Sequence, residues 1–559
     1  MHSFRRLVIL GCILLGYVYQ VERVRPVFFF GQFQDDSIYF TTAKALADGQ
    51  GYKLVSFPGS PPETKYPIVY SWLLSFVWKL NPTFPDNLRL AIHLTEFFGC
   101  WSLIAGFFLL RSLSDIGETA ALCLTAVCAL QPVFLRTSGL VMSDLPFMAC
   151  MLTVLALCVS ANSTRSSPWM YLLIGALSGL SVGIRTVGVS LVAGICCSFI
   201  LRKAFRPALI IAAAASFAML LVMSPTLFHR VAPLSLGASG EPGWDQVAAY
   251  YTSYTKFQWG MGVPSFGALL HLVLLNLFVL ASSPGPILVG TFGKIGAYAA
   301  MVLSFPMWVG LLRQSRHSEW KLVTFTMLFY GCVILVWPYP QPERFLLPFI
   351  PVLLSGLWCE IRRIGALVIK RLRPGTPIGQ RLSASVPACF LFCIFGMAAW
   401  NSVVRDPRAR QVASDSQAAA LEERKEAYQW IRDHTSPGDR VAAWKDVVLY
   451  LYTGRQSLRP IATLPQAFYA EDLKSEKDDL AHICDAPRHV GVRYWMTTND
   501  DFNLEPHQDR FAARMAEVGR VLPIVFRSSG GKVQIHDASC LNDQERPACR
   551  AIGQILFPK

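Results

Sequence analysis

The chain has 559 residues, of which 53% are hydrophobic and 16% charged, and its formal net charge is +14. Soluble domains carry about 25% charged residues, so a chain this apolar needs lipid to face, and a purely soluble protein is excluded. The positive balance does not indicate nucleic acid, because residues 403–559 hold 22 basic and 22 acidic residues and the surplus lies among the apolar segments.

A transmembrane helix needs about 20 mostly apolar residues. Eleven spans are expected, at about 7–22, 88–110, 119–137, 145–161, 168–184, 187–201, 207–228, 290–312, 320–338, 345–361 and 385–402. The first carries a basic flank (Arg5, Arg6) but no small-x-small cleavage site, so it reads as an uncleaved anchor. Arg185 separates two short apolar runs, and Ser283-Pro284-Gly285-Pro286 breaks another, so 269–281 is expected only to dip into the membrane.

With the N-terminus in the cytoplasm, the inner segments hold 16 basic residues against four acidic ones (Asp115, Glu118, Glu319, Glu360). That is the asymmetry of the positive-inside rule. It puts Asp35, Asp36, Asp144, Arg185, Arg344 and the C-terminal region on the outer face.

The first outer loop, 23–87, has helical patterning over Ser37–Ala47, stopped by Asp48-Gly49-Gln50-Gly51. Pro67–Leu80 is apolar and aromatic and is expected to lie along the interface. The second outer loop, 229–268, carries Tyr250, Tyr251, Tyr254, Phe257 and Trp259. These fit either the headgroup level or a substrate groove. Beyond residue 402 charge rises and long apolar runs vanish. Ala418–His434 reads as an amphipathic helix; Arg440–Trp444, Val447–Tyr452, Val490–Thr497 and Val518–Phe526 read as strands, and Phe511–Glu517 as a helix. The expected architecture is mostly α: a polytopic membrane domain over 1–402, then an extracytoplasmic α/β domain over 403–559. Twelve of the fifteen cysteines precede residue 400 and read as small buried hydrophobes, while Cys540 and Cys549 are close enough for a disulfide in an oxidising compartment.

The residues fit for chemistry gather on the predicted outer face. Asp35 and Asp36 are adjacent at a helix start, where neighbours point about 100° apart. One can face a reactive centre while the other faces a support, an arrangement that suits a general base. The plain alternative is an N-cap. Lys65 precedes Tyr66-Pro67, Asp144 and Arg344 each start a span, and Arg185 sits in Gly183-Ile184-Arg185-Thr186. Each has a plain reading as well: Asp144 as a cap, Lys65 as a snorkelling side chain, and the arginines paired with Glu343 or headgroups. Together, cations and acids at one boundary suit a phosphate held beside a base.

This pattern resembles the GT-C superfamily of membrane glycosyltransferases, in the branch of the protein O-mannosyltransferases and aminoarabinose transferases. The resemblance covers most of 1–402. It rests on Asp35-Asp36-x-x-Tyr39, Lys65-Tyr66-Pro67, Ser143-Asp144, Arg185-Thr186 and Arg344-Phe345-Leu346-Leu347-Pro348. In the tail it rests on Tyr428-Gln429-Trp430-Ile431-Arg432 and Leu449-Tyr450-Leu451-Tyr452-Thr453-Gly454-Arg455. It implies inverting transfer of a sugar from a polyprenyl phosphate (dolichyl or undecaprenyl) to an acceptor hydroxyl on a glycan, lipid or protein. Asp35 would be the base. Lys65, Tyr66, Arg185 and Arg344 would bind the donor phosphate, with Tyr39 in support. Asp36 and Asp144 would shape the site or hold a divalent cation. Asp36 stands where the family also shows Glu, and Tyr66 where it shows Pro, which leaves the metal role open. A plasma-membrane protein follows if the source is bacterial. The competing readings are a flippase of lipid-linked saccharide, which would place charges near the midplane in paired repeats, and a non-catalytic assembly subunit.

Overall fold

A computed structural model describes residues 2–24, 30–163, 167–231, 239–252, 257, 265–290, 293–338, 341–372, 377–462, 481–501 and 521–542. The chain forms two compact units. One comprises Met1–Pro26, Ala91–Met223 and Gly267–Val412; the other gathers Val27–Leu90, Ser224–Phe266 and Ala413–Lys559.

The first unit is helical. Among the described residues eight helices are long and apolar enough to cross a membrane, or nine if one bent pair is a single span. They leave large apolar side chains uncovered, including Leu7, Phe217, Phe305 and Phe392, which is the surface a lipid-facing helix presents. The molecule is a mostly helical polytopic membrane protein.

The expected straight span 119–137 is instead Glu118–Ala129 followed by Pro132–Ser138, bent by 60°. The break has a local cause. Pro132 starts the second helix, Gln131 Oε1 accepts the Phe134 amide (2.5 Å), and Gln131 Nε2 donates to the Ile287 carbonyl (2.6 Å). The runs on either side of Arg185 form two short apolar helices, Pro168–Ile184 and Val189–Leu201. Helices Gly293–Gln314 and Ile350–Leu372 cross closely at Gly310 and Gly356, where an added Cβ on either would meet the other helix's backbone. Small residues allow such close packing where lipid gives helices no hydrophobic drive to associate.

In the second unit, helix Asp35–Ala47 packs on helix Ile68–Leu80. The Phe40 ring lies 4.8 Å from Trp78, whose indole N–H donates to the Phe40 carbonyl (2.9 Å); Tyr39 meets Tyr70 edge-on at 5.1 Å. The opposite side of Ile68–Leu80 leaves Trp72, Phe76 and Leu80 exposed. The same unit holds a five-stranded sheet of β1 (Val441–Ala443), β2 (Ser457–Leu458), β3 (Tyr494–Thr498), β4 (Ile524–Arg527) and β5 (Val533–Asp537). The order is β2-β1-β3-β5-β4; β1 runs parallel to β2 and β3, and β5 antiparallel to β3 and β4. Helix Asp406–His434 covers it through Ala427, Tyr428 and Ile431, packed on Val441, Tyr494, Met496, Val533 and Ile535.

One expected strand is a helix. Val447–Tyr452 lies within Asp446–Thr453, closed by Gly454 in the left-handed region (φ 71°). A short run of Val, Leu and Tyr carries no decisive period, and burial of Val447, Val448 and Leu449 against the sheet settles it as a helix. Phe511–Glu517, Tyr254, Trp259 and Cys549, and with it the Cys540–Cys549 pair, lie outside the described residues.

Candidate active site

Asp35 and Asp36 open the helix Asp35–Ala47 and diverge at once. Asp36 is fully buried; its Oδ2 accepts the Gly31 amide (2.8 Å) and its Oδ1 the Ser37 amide (2.7 Å). It therefore fastens the turn that feeds the helix. Gly31 suits that turn: its φ is +84°, and a Cβ there would collide with Val448 Cγ2. Asp35 is only partly buried, and its Oδ1 accepts the Tyr66 hydroxyl at 2.6 Å. The Tyr66 ring lies 4.9 Å from Tyr39.

Lys65 is 8% exposed, with its Nζ 3.9 Å above the centre of the Tyr250 ring and 5.2 Å from that of Tyr66. Burial pushes its ammonium below the usual lysine range, while the charges of Asp35 and Glu63 pull it back. Glu63 is 1% exposed, and its Oε1 accepts the amides of Lys65 (2.5 Å) and Tyr66 (3.1 Å). Burial raises its carboxyl, against those two amides and the Lys65 charge.

Of the other half of this group, sequence reasoning named Tyr250 and Tyr251 as headgroup-level or groove aromatics and missed Gln34, Asp446 and Arg459. Tyr250 and Tyr251 end helix Pro242–Thr252. The Tyr250 hydroxyl donates to Gln34 Oε1, and the Tyr251 hydroxyl to Asp446 Oδ2 (2.7 Å). Gln34 Nε2 reaches Asp446 Oδ1 at 3.3 Å. Asp446 is 1% exposed, and burial lifts its carboxyl to about 6 against the lowering charge of Arg459. The Arg459 guanidinium lies 4.1 Å over Trp444 and 5.5 Å from Tyr250, at cation–π range. The second unit thus assembles Asp35, Tyr66 and Lys65 from the first loop with Tyr250 and Tyr251, Asp446 and Arg459. Two cations there sit on aromatic faces beside three carboxylates.

The first unit brings Asp144, Arg185 and Arg344 together. Asp144 is 1% exposed at the head of helix Asp144–Ser163. Arg185, in the extended break between two helices, donates to its Oδ1; Arg344 Nη2 donates to Oδ2 (3.1 Å) and Nε to Oδ1 (3.3 Å). Glu343 pairs with Arg136 (2.9 Å) rather than with these arginines. One carboxylate thus holds two guanidiniums.

The oxygens of Asp36 accept backbone amides and those of Asp144 accept guanidinium N–H groups. Among the described residues the acids and histidine that converge closely enough to bind a metal are Glu22, His93 and Glu96, with ligand atoms within 4.8 Å of one another.

No protein-family model and no curated protein sequence matches the chain. Solved structures do. ArnT from Cupriavidus metallidurans bound to undecaprenyl phosphate aligns with 97% of this chain and 100% of its own, at 11% identity and a TM-score of 0.55. The archaeal oligosaccharyltransferase AglB from Archaeoglobus fulgidus, in complex with an inhibitory peptide and a dolichol-phosphate, aligns with 96% of this chain and 75% of its own, at 12% identity and a TM-score of 0.52. The same oligosaccharyltransferase tethered to an acceptor peptide aligns with 96% of this chain and 74% of its own, at 11% identity and a TM-score of 0.53. Identities this low speak for the fold alone: over nearly its whole length the chain shares the fold of ArnT and of AglB.

Proposed function

We propose that the chain is a membrane glycosyltransferase that moves a sugar from a polyprenyl-phosphate carrier to an acceptor hydroxyl on the outer face of the membrane, with the N-terminus in the cytoplasm and the C-terminal region outside. The observation that carries this reading is Asp35: a partly accessible carboxylate, oriented by the Tyr66 hydroxyl, beside the buried ammonium of Lys65. The lipid carriers bound by the two structural neighbours support the donor class.

In the proposed reaction Asp35 takes the proton of the acceptor hydroxyl as its oxygen attacks the anomeric carbon. The bond from that carbon to the phosphate oxygen breaks, and its electron pair leaves with the lipid phosphate. Tyr66 keeps the carboxylate aimed. Lys65 balances the charge developing on the leaving phosphate, which is electrostatic stabilisation by a group already in place. Arg185 and Arg344, spread apart on Asp144, present a fixed cationic group suited to a phosphate. Outward-facing carboxylates agree with a lipid-linked donor, because nucleotide sugars are cytoplasmic.

The test is product analysis with the purified chain and a panel of polyprenyl-phosphate sugars. Transfer of a labelled sugar to a hydroxyl acceptor supports the reading and identifies the donor. Donor bound without turnover would overturn it in favour of an assembly subunit.

A further inference from the structure

The first unit contains a cavity of about 620 Å³ that the transfer reaction does not use. It is lined by Asp115, Arg313, Gln314, Trp358, Arg362 and Arg363, among others. Arg344 stands in the first turn of the span Pro342–Val368, and Arg362 and Arg363 near its end. Eighteen residues of helix rise about 27 Å, close to the ~30 Å thickness of a bilayer's hydrocarbon core. The cavity therefore lies at the membrane boundary opposite the Asp144 group.

Its electrostatics favour an anion. Arg313 and Arg363 share one carboxylate, Glu360, at 3.0 and 3.4 Å, and Arg362 donates to the Asp115 carbonyl (2.7 Å), which is neutral. Three guanidiniums thus stand against the two carboxylates of Glu360 and Asp115.

We infer that this cavity binds the phosphate of an anionic phospholipid headgroup. A lipid is favoured over a free phosphate by what surrounds the cavity. Arg313 sits at the end of the span Gly296–Gln314 and Arg362 and Arg363 near the end of Pro342–Val368. On the helix that carries Arg313, the exposed side chains on its membrane side are Leu312, Phe305 and Val302, an apolar wall for an acyl chain. Basic pockets between spans at the bilayer surface recognise headgroups in this way. The inference is independent of the transferase reading.

The test uses the purified full chain in phosphatidylcholine nanodiscs containing increasing phosphatidylglycerol, with retained lipid counted by native mass spectrometry and the unfolding midpoint recorded. Selective retention of phosphatidylglycerol is expected, weakened at least tenfold by Arg362→Gln and measurably by Arg363→Gln. Equal retention of the two lipids, or retention unchanged in both variants, overturns the inference. Displacement of the lipid by millimolar inorganic phosphate overturns the assignment to a lipid. Arg363→Gln keeps the test decisive if Arg362→Gln does not fold.

Discussion

The Asp36 carboxylate accepts two backbone amides in a fully buried position, and an asparagine there can accept only one while its NH₂ faces the other donor. Asp36→Asn is expected to cost about 1–3 kcal/mol, the penalty of an unsatisfied buried group, read as a lower thermal midpoint in detergent. Asp35→Asn keeps an acceptor for the Tyr66 hydroxyl and leaves the midpoint near wild type. Asp446 gives a pH signature. Its carboxyl is raised by burial, from an ordinary value near 3.8 to about 6. The unfolded chain releases that proton first. The contribution to stability is therefore fully present below about pH 4 and is lost as pH rises to about 6, amounting to about 3 kcal/mol for a two-unit shift. Asp446→Asn carries no such proton. The wild-type midpoint is expected to fall relative to the variant between pH 4 and 7, and parallel curves would contradict the assignment.

At the scale of elements, the loop before helix Asp35–Ala47 and the helix Asp446–Thr453 meet at Gly31 and Val448. Gly31→Ala meets two separate penalties, a left-handed φ and the collision with Val448. It is expected to lower the midpoint. Adding Val448→Ala should recover only the collision part, because the φ strain of about 1–2 kcal/mol persists. Full recovery would show that φ costs nothing there. This juxtaposition also marks what the sequence makes legible. Helix Ser37–Ala47 and the strand near Arg440–Trp444 follow from local pattern and stop signals, and they form within a few residues of expectation. Val447–Tyr452 does not, since six apolar and aromatic residues fit a buried helix as well as a strand. The bend at Gln131–Pro132 depends on a hydrogen bond to Ile287, 156 residues away, which no local pattern carries.

At the scale of the whole molecule, apolar content and charge asymmetry reveal a polytopic membrane protein, and short motifs single out Asp35, Lys65, Tyr66, Asp144, Arg185 and Arg344. The sequence does not reveal which of these are partners. Asp144 holds two arginines that lie 41 and 200 residues away, and Lys65 sits on Tyr250. Asp446 and Arg459 flank the run Leu449–Arg455 without belonging to it, yet they share a cluster with Gln34 and Tyr251. The account depends most on Asp35 as the proton acceptor in sugar transfer. The measurement is single-turnover transfer from the active polyprenyl-phosphate sugar by wild type and Asp35→Asn, with donor affinity measured in parallel. A general base contributes about 10²–10⁴-fold, so the variant should lose at least a hundredfold in rate while retaining donor affinity and thermal midpoint. Transfer by Asp35→Asn at the wild-type rate would contradict the account.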